Sequence, residues 1–262
     1  MAGEVEMKIA IAGKGGVGKT TLAGLLARSW AAQGKQVLAI DADPDANLAS
    51  ALGIPAELCA GLQPFSRMKE LAMERTGAGA GYGSLFILNP KVDDLPDMFC
   101  VHHEGVRLLQ MGTVEHGGTG CVCPEHTLVR RLMSHLLLER DDVVVMDMEA
   151  GIEHLGRATA EAVDVLVVVV EPGQRSIQTA RQIGQLAADI GIRKLAYVGS
   201  KIASPCDKTF LQSALNEAQI LGYLSLSETI RSADLSGSAP FDLGGEFMTE
   251  LEVIGQRLTA LC

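Results

Sequence analysis

The segment MKIAIAGKGGVGKT, residues 7–20, decides the fold of this chain. An apolar run, MKIAIA (7–12), leads into the glycine-rich segment GKGGVGKT (13–20), and a helix-forming segment follows at residues 20–33. The middle segment matches the pattern G-x-x-x-x-G-K-[ST], in which backbone N–H groups between a strand and a helix surround phosphate groups. Because strand, loop and helix occur in that order, the sequence predicts a phosphate-binding loop that ends on the positive N-terminus of a helix.

The residues of this loop have predicted roles in binding a nucleotide. Lys19 is expected to reach the β- and γ-phosphates, and the Thr20 hydroxyl is expected to ligate Mg²⁺. The residues expected to surround ATP are Gly15, Gly16, Val17, Gly18, Lys19, Thr20 and Thr21. Lys14 is a second lysine in the loop and has two interpretations. It is either a solvated loop lysine or a cation that reaches the γ-phosphate of a partner subunit, as an arginine finger does.

Two acidic segments follow predicted strands. Asp147 in MDMEAG (146–151) stands at the carboxyl end of a strand, where a Walker B carboxylate holds Mg²⁺. Asp43 in DADPDANL (41–48) is predicted to orient or activate the attacking water and to lie beside the same Mg²⁺. The remaining carboxylates of that segment, Asp41 and Asp45, are open to a structural interpretation as capping or turn residues.

Apolar segments alternate with amphipathic ones through most of the chain. Strands are predicted at 7–12, 36–41, 106–111, 142–148, 163–170, 194–199 and 219–223. Helices are predicted at 19–33, 124–139, 153–162, 175–190, 207–217 and 242–261. Continuous Val, Ile and Leu runs indicate strands that are covered on both faces, so the expected fold is α/β, a mostly parallel doubly wound sheet flanked by helices. We expect one domain over residues 1–262, with an irregular insertion at 53–104.

The composition disfavours two kinds of partner. The formal net charge is −10, and nucleic acid is bound mainly through Lys and Arg, so no nucleic-acid partner is expected. The acidic N-terminal residues are unlike a signal peptide, and no apolar run reaches about 18 residues, so a cytoplasmic protein without a membrane span is expected. The segment at 245–262 has an apolar stripe beside an acidic face, which predicts a docked helix rather than a lipid anchor.

Two cysteines lie one residue apart in CVCPEH (121–126). Pro124 is typical of the first position of a helix, so Cys121 and Cys123 are predicted at a helix N-terminus, where the thiolate form is favoured. A metal site, a redox pair and a coincidence are the three interpretations, and we favour the metal site because cytosolic thiols are kept reduced. A closed soft-metal site takes four ligands, which histidines of the same chain or a second subunit's cysteine pair would complete; we favour the second subunit. The cysteines expected to be small buried side chains are Cys59, Cys100, Cys206 and Cys262.

The loop with its extra lysine, the segment DADPDANL and the segment DMEAGIEHLGR (147–157) resemble the MinD/ParA/nitrogenase-iron-protein class of P-loop ATPases, whose loop is called a deviant Walker A motif. The resemblance extends over most of the chain. It implies a mostly parallel sheet, ATP-driven dimerisation, and contact between Lys14 and the nucleotide of the partner. Members often contact adenine through an Asn-Lys pair, which corresponds here to Ser200 and Lys201, so Lys201 is expected at the ATP site.

With the cysteine pair upstream of DMEAGIEHLGR, the chain resembles the CooC-type nickel-insertion ATPases. These serve the maturation of carbon monoxide dehydrogenase, and a sibling branch serves acetyl-CoA synthase. The resemblance implies ATP and Mg²⁺ as cofactors, a homodimer, Ni²⁺ (or Zn²⁺) held by Cys121 and Cys123 across the dimer, and a nickel enzyme as the target. Glu149, Glu153 and His154 are interpreted as switch residues that link the nucleotide state to the dimer face.

Two other functions share the same loop. A spatial-organising ATPase of the MinD or ParA kind needs a membrane anchor or a DNA-binding surface, and the acidic chain predicts neither. An ATPase that acts as an iron–sulfur reductase, with a [4Fe–4S] cluster between subunits, also takes two thiolates per chain. The adjacent sulfurs of a C-x-C pair are a poorer match to the separated corners of such a cluster than widely spaced cysteines are.

Overall fold

The structure, a computed structural model, describes residues 6–43, 45–79, 85–112, 123–138, 143–149, 152, 155 and 157–262. Within these residues, no helix is long and apolar enough to cross a membrane.

Eight strands form one sheet in the order β3-β4-β2-β5-β1-β6-β7-β8. The strands are β1 (Met7–Gly13), β2 (Val37–Asp41), β3 (Val101–His103), β4 (Val106–Gln110), β5 (Val143–Asp147), β6 (Val165–Val170), β7 (Leu195–Ile202) and β8 (Ile220–Ser225). All neighbouring pairs are parallel except β3 and β4, which are antiparallel at the edge of the sheet. The predicted mostly parallel α/β fold is therefore confirmed.

Helices connect the strands and cover both faces of the sheet. The first six are α1 (Lys19–Ala32), α2 (Leu48–Ala51), α3 (Ala56–Cys59), α4 (Lys69–Thr76), α5 (Leu95–Phe99) and α6 (Pro124–Leu138). The others are α7 (Arg157–Ala160), α8 (Gln174–Ile190), α9 (Pro205–Ala214), α10 (Glu228–Ser236), α11 (Pro240–Leu243) and α12 (Phe247–Leu261). Two short 3₁₀ turns lie at Phe65–Arg67 and Glu217–Gln219.

The central strand β1 shows why the predicted strands read as continuous apolar runs. Ile9 and Ile11 lie in an apolar cluster with side chains of α1 and α12 on one face of the sheet. Ala10 and Ala12, which alternate with them, lie in a second cluster with side chains of α6 and α8 on the other face. Because successive side chains of a strand point to opposite faces, burial on both faces makes every position apolar.

The position of β1 also places the predicted phosphate loop. β1 lies between β5 and β6, and the chain leaves it through α1 to β2, on the far side of β5. The strands β6, β7 and β8 extend the sheet on the opposite side of β1. The connections to the two sides therefore diverge near the carboxyl end of β1. In open α/β sheets such a divergence leaves a crevice that binds ligands.

Several elements of the structure are missing from the sequence prediction, among them the short helices α2, α3 and α5. β3 lies inside the interval 53–104 and joins β4 through Glu104 and Gly105, whose φ angles are 46° and 77°. Two positive φ angles in a two-residue loop are typical of a type I′ hairpin turn. The sequence did not predict this hairpin because its first strand, β3, has only three residues and is partly polar. The prediction also lacks α10, a short and largely polar helix.

The terminal helix α12 lies against β8 with its apolar stripe buried, as predicted. Phe247, Leu251, Ile254 and Leu258 are buried, whereas Leu261 is partly exposed. The apolar face of α12 is therefore packed into the core of the protein.

The prediction of buried cysteines is wrong for two of the four outside the pair. Cys206 and Cys262 are exposed, while Cys59 and Cys100 are half-buried at the margins of the core. Cys206 is the second residue of α9, and Cys262 is the last residue of the sequence.

Arg28 ties α1 to α11, and its removal is expected to destabilise the fold. Its guanidinium donates to the Leu52 carbonyl at 2.8 Å and to Asp242 Oδ1 at 2.6 Å, and it stacks on Phe241 with 5.4 Å to the ring centroid. Since hydrogen bonds to a charged group contribute about 1.5–3 kcal/mol, we expect Arg28→Met to lower the free energy of unfolding by about 2 kcal/mol in urea titrations. Arg193→Met removes an exposed arginine and is the control. Equal urea midpoints for Arg28→Met and the unsubstituted chain would contradict this role.

Candidate functional site

A cleft of about 710 Å³ opens at the carboxyl ends of the central strands. The phosphate loop and the start of α1 form its floor, the segment after β2 forms one side, and the end of β7 with α10 forms the other. Six of the predicted nucleotide-binding residues line this cleft: Gly15, Gly16, Gly18, Lys19, Thr20 and Thr21. The predicted Asp43 and Lys201 line it as well.

Two glycines fix the path of the loop. A Cβ atom at Gly13 would lie 2.5 Å from the Val169 carbonyl oxygen of the neighbouring strand, so the close approach of β1 to β6 requires glycine. Gly18 precedes α1 in a left-handed conformation, with φ of 98°, which a side chain rarely adopts. Between these residues Val17 is buried, so its side chain anchors the loop to the core.

The end of β7 braces the phosphate loop from the side. Gly199 pairs with Tyr223 and Ile202 pairs with Ser225, so β7 has one residue more than β8 over this interval, which is a β-bulge. Lys201 lies in the bulge with φ of 56°, an unusual conformation for a lysine.

The bulge directs two polar side chains to the carbonyl groups of the loop. The Ser200 hydroxyl donates to the Val17 carbonyl at 2.7 Å, and Lys201 Nζ donates to the Gly16 carbonyl at 2.5 Å. The side chain of Ser200 therefore contacts the phosphate loop of its own chain.

Asp147 ends β5 beneath the cleft and carries a buried, unpaired carboxyl group. The residue is fully buried, and no described residue makes a hydrogen bond of ordinary length and angle to either carboxyl oxygen. The pKa of Asp147 is raised to about 7, and burial is the main cause; the nearby Thr20 hydroxyl opposes this shift, the Asp41 carboxylate adds to it, and the Lys19 ammonium opposes it. An uncompensated carboxyl group in a closed site is the environment that a bound cation would satisfy.

Asp41 holds the loop that presents Asp43. Its carboxyl group accepts the backbone N–H of Leu48 at 3.0 Å and that of Asp43 at 3.2 Å. Burial is the main cause that raises the Asp41 pKa to about 6, and these two hydrogen bonds oppose it. Asp43 Oδ1 in turn accepts the Asp45 N–H at 3.0 Å, so Asp41 and Asp43 shape the turn by side-chain capping of the backbone.

The donor set fits Mg²⁺ bound together with a nucleotide. Thr20 and Asp147 lie together, and Asp43 faces the same cleft. Mg²⁺ keeps several waters and takes one or two protein oxygens plus phosphate oxygens, so this small set is sufficient.

Lys14 lies at the start of the loop and pairs with a residue that the sequence analysis did not single out. Its Nζ is 3.1 Å from Glu171 Oε1, and Glu171 Oε2 is 3.8 Å from Lys201 Nζ. Glu171 directly follows β6, whose carboxyl end lies beside the phosphate loop. The position of Glu171 after the apolar run VLVVVV was the available signal, because it places the carboxylate at the same edge of the sheet.

The structure describes one of the two paired cysteines. Cys123 directly precedes α6, as predicted; its carbonyl accepts the Thr127 N–H at 3.0 Å, and its Sγ accepts the His126 N–H at 3.4 Å. Its sulfur is therefore at the positive end of a helix, which favours the thiolate. Cys121 lies outside the described residues.

The predicted switch residues fall after β5. Glu149 is exposed two residues beyond the end of that strand. Glu153 and His154 lie outside the described residues.

Comparison with known proteins agrees with this geometry. The family model of the CobQ/CobB/MinD/ParA nucleotide binding domain matches residues 8–241. The chain is 55% identical over 237 residues to the carbon monoxide dehydrogenase accessory protein CooC of Rhodospirillum rubrum, and the alignment covers 90% of each chain. It is 43% identical over 252 residues to an uncharacterized ATP-binding protein of Methanocaldococcus jannaschii, covering 95% of this chain and 96% of that protein.

Solved structures with the same fold include cell-division proteins. The MinC:MinD complex of Aquifex aeolicus contains a chain that matches with a TM-score of 0.69 and 20% identity, covering 97% of this chain and 96% of that one. The septum site-determining protein MinD of Pyrococcus horikoshii, complexed with Mg-ADP, matches with a TM-score of 0.65 and 17% identity, covering 96% and 95%. At these identities the likeness shows the fold alone.

Proposed function

The chain belongs to the CobQ/CobB/MinD/ParA nucleotide-binding family of P-loop ATPases, and from this premise we propose that it serves the maturation of a nickel enzyme. It binds nickel between two subunits and inserts it into carbon monoxide dehydrogenase or acetyl-CoA synthase, in step with ATP binding and hydrolysis. The observation that carries the proposal is the 55% identity to the carbon monoxide dehydrogenase accessory protein CooC over 90% of both chains. A cytoplasmic location, and the lack of nucleic-acid and membrane partners, stay predictions from the sequence.

The residues of the cleft divide the work of ATP hydrolysis among them. The loop N–H groups and Lys19 bind the phosphates, while Thr20 and Asp147 hold the Mg²⁺ that arrives with them. Bound Mg²⁺ supplies charge neutralisation at the phosphate oxygens. Asp43, which the Asp41-anchored turn presents to the cleft, orients the attacking water. Lys201 supports the loop through the Gly16 carbonyl.

The cysteine pair holds the transported metal ion. Cys123 lies at the N-terminus of α6, where the helix dipole and the His126 N–H stabilise a thiolate. Cys121 and Cys123 supply two soft ligands per chain, and two chains related by a two-fold axis supply four. Four thiolates accept tetrahedral Zn²⁺ or square-planar Ni²⁺, so this donor set suits either ion.

Nucleotide binding controls the metal site through the dimer. In the closed dimer Lys14 reaches the phosphates of the partner, and the two cysteine pairs meet. Hydrolysis removes the γ-phosphate contacts and lets the pairs separate, which releases the ion to the target. A shift from a mostly open to a mostly closed population requires about 5 kcal/mol of difference in nucleotide affinity between the two states.

Metal content and oligomeric state, measured together, test this proposal. With ATP, Mg²⁺ and Ni²⁺ present, we expect a dimer that retains about one Ni²⁺ per two chains after desalting. With ADP we expect a monomer that retains Ni²⁺ at least about ten-fold more weakly. A chain that stays monomeric with ATP, or that holds Ni²⁺ equally well in both nucleotide states, would contradict the proposal. A brown, iron-containing protein from anaerobic purification would favour the iron–sulfur reductase instead.

A further inference from the structure

One carboxylate faces both exposed ammonium groups beside the phosphate loop. Glu171 Oε1 is 3.1 Å from Lys14 Nζ, and Glu171 Oε2 is 3.8 Å from Lys201 Nζ. Lys201 also donates to the Gly16 carbonyl within the loop. The two lysines are separated by 187 positions in the sequence and are linked through the single side chain of Glu171. The sequence predicted no role for Glu171.

The backbone of Glu171 is held in place by the fold. The residue follows β6, which pairs with β1 through Val169 and Gly13, so it stands beside the residue that opens the loop. Its N–H donates to the Ser176 hydroxyl at 3.1 Å, and Ser176 is buried in the first turn of α8. A fixed backbone keeps the carboxylate at the loop without help from a ligand.

The same two lysines are cations that a triphosphate would attract. Lys201 lines the cleft, and Lys14 belongs to the loop that surrounds the phosphates. A carboxylate and a phosphate both need the same ammonium hydrogens, so contacts with one compete with contacts with the other. The carboxylate also repels the triphosphate directly, because both are negative.

We infer that Glu171 is a positioning residue of the ATPase: it holds Lys14 and Lys201 in the nucleotide-free chain and is displaced when the triphosphate binds. The triphosphate competes with the carboxylate for the ammonium group of Lys201, which lines the cleft, and loosens the hold of Glu171 on Lys14. Lys14 is then no longer held by Glu171 of its own chain. The inference concerns ATP binding by the single chain and does not rest on the metal site or on the target enzyme.

Glu171→Gln tests the inference through the affinity for ATP. The side chains of Lys14, Lys201 and Glu171 are 36%, 46% and 28% exposed, so the pairing is that of a partly solvated ion pair. Such pairs contribute up to about 1 kcal/mol, which corresponds to about five-fold in a dissociation constant. Calorimetric titration with a non-hydrolysable ATP analogue at low ionic strength is expected to give about five-fold tighter binding by Glu171→Gln than by the unsubstituted chain. Glu252→Gln, the same change on the exposed face of α12, is expected to leave affinity unchanged.

Two further measurements distinguish competition from a structural effect. At about 1 M salt the Debye length falls to about 3 Å, so the affinity ratio between Glu171→Gln and the unsubstituted chain is expected to approach one. In a Lys14→Met background, Glu171→Gln is expected to change the affinity by less than about two-fold, because the stronger of the two ion pairs is already absent. Unchanged or weaker ATP binding by Glu171→Gln at low salt, or an effect that persists undiminished in Lys14→Met, overturns the inference.

Discussion

Asp147→Asn is expected to lower the rate of ATP hydrolysis by about 100-fold and to make the nucleotide-free protein more stable above neutral pH. The loss of activity follows from the proposed role of Asp147 as a carboxylate that holds Mg²⁺, since changes around a metal site typically cost 10–100-fold. The gain in stability follows from the burial of an unpaired carboxyl group. The same substitution is therefore expected to lower the activity and to raise the stability of the folded chain.

The direction of the pH dependence follows from the raised pKa of Asp147. Its ordinary value is 3.8 and burial raises it to about 7, so between these values the folded chain holds a proton that the unfolded chain has released. The free energy of unfolding therefore falls as pH rises across this window. The penalty is fully present above about pH 7, where it reaches up to about 4 kcal/mol at ~1.4 kcal/mol per pKa unit. Asparagine stays neutral, but its buried amide is also unpaired. We therefore expect the free energy of unfolding of Asp147→Asn to exceed that of the unsubstituted chain by about 2 kcal/mol at pH 8.

Urea unfolding in EDTA at pH 5 and pH 8 measures this effect. The single tryptophan, Trp30, is 2% exposed in α1 and reports the transition by its fluorescence. At pH 5, where Asp147 is protonated in the folded chain, the advantage of Asp147→Asn is expected to vanish. Asp189→Asn, an exposed change on α8, is expected to alter neither stability nor hydrolysis. Equal stability of Asp147→Asn and the unsubstituted chain at pH 8 would show that the carboxylate is compensated in the folded protein.

The features of the site that follow from local pattern could be predicted from the sequence. The phosphate loop needs only a strand, glycines at fixed spacing and a helix, and the structure has all three from Met7 to Ala32. Asp43 and Asp147 follow strands whose carboxyl ends meet at one edge, so a parallel sheet brings them to the loop. Pro124 indicated the start of α6, because proline costs no hydrogen bond at the first helical position.

The features that depend on pairing between distant segments could not be predicted in the same way. The bulge that turns Ser200 toward Val17 arises from the register between β7 and β8, which no single segment encodes. The contact of Glu171 with Lys14 depends on β6 lying next to β1, so it follows only from the strand order. α10, which forms one wall of the cleft, is short and polar and lacks the long apolar period by which helices are predicted.

Replacement of both paired cysteines, Cys121→Ser with Cys123→Ser, is expected to abolish stoichiometric nickel or zinc binding while ATP binding survives. Serine presents a neutral, hard hydroxyl where a soft metal ion requires thiolate. If each chain supplies two of four ligands, the double substitution removes all four from the dimer at once. Cys123, at the start of α6, is not among the residues that line the nucleotide cleft. The affinity for ATP, measured without Ni²⁺ or Zn²⁺ so that the coupling to the metal site plays no part, is therefore expected to stay within about two-fold.

The matched control is Cys206→Ser with Cys262→Ser, which also removes two thiols. Both of these cysteines are exposed, and a metal ion bound non-specifically through surface thiols would be lost from this variant instead. Metal analysis after desalting, with ATP and Mg²⁺ present, is expected to show about one ion per two chains for the control and none for the paired substitution. If the paired substitution retains its metal ion, the ligands lie elsewhere in the chain; if it loses ATP binding as well, the metal and nucleotide sites are not separable units of the fold. Retention of ATP binding with loss of the metal ion is thus the outcome that assigns the cysteines to the transported metal and the phosphate loop to the nucleotide that controls it.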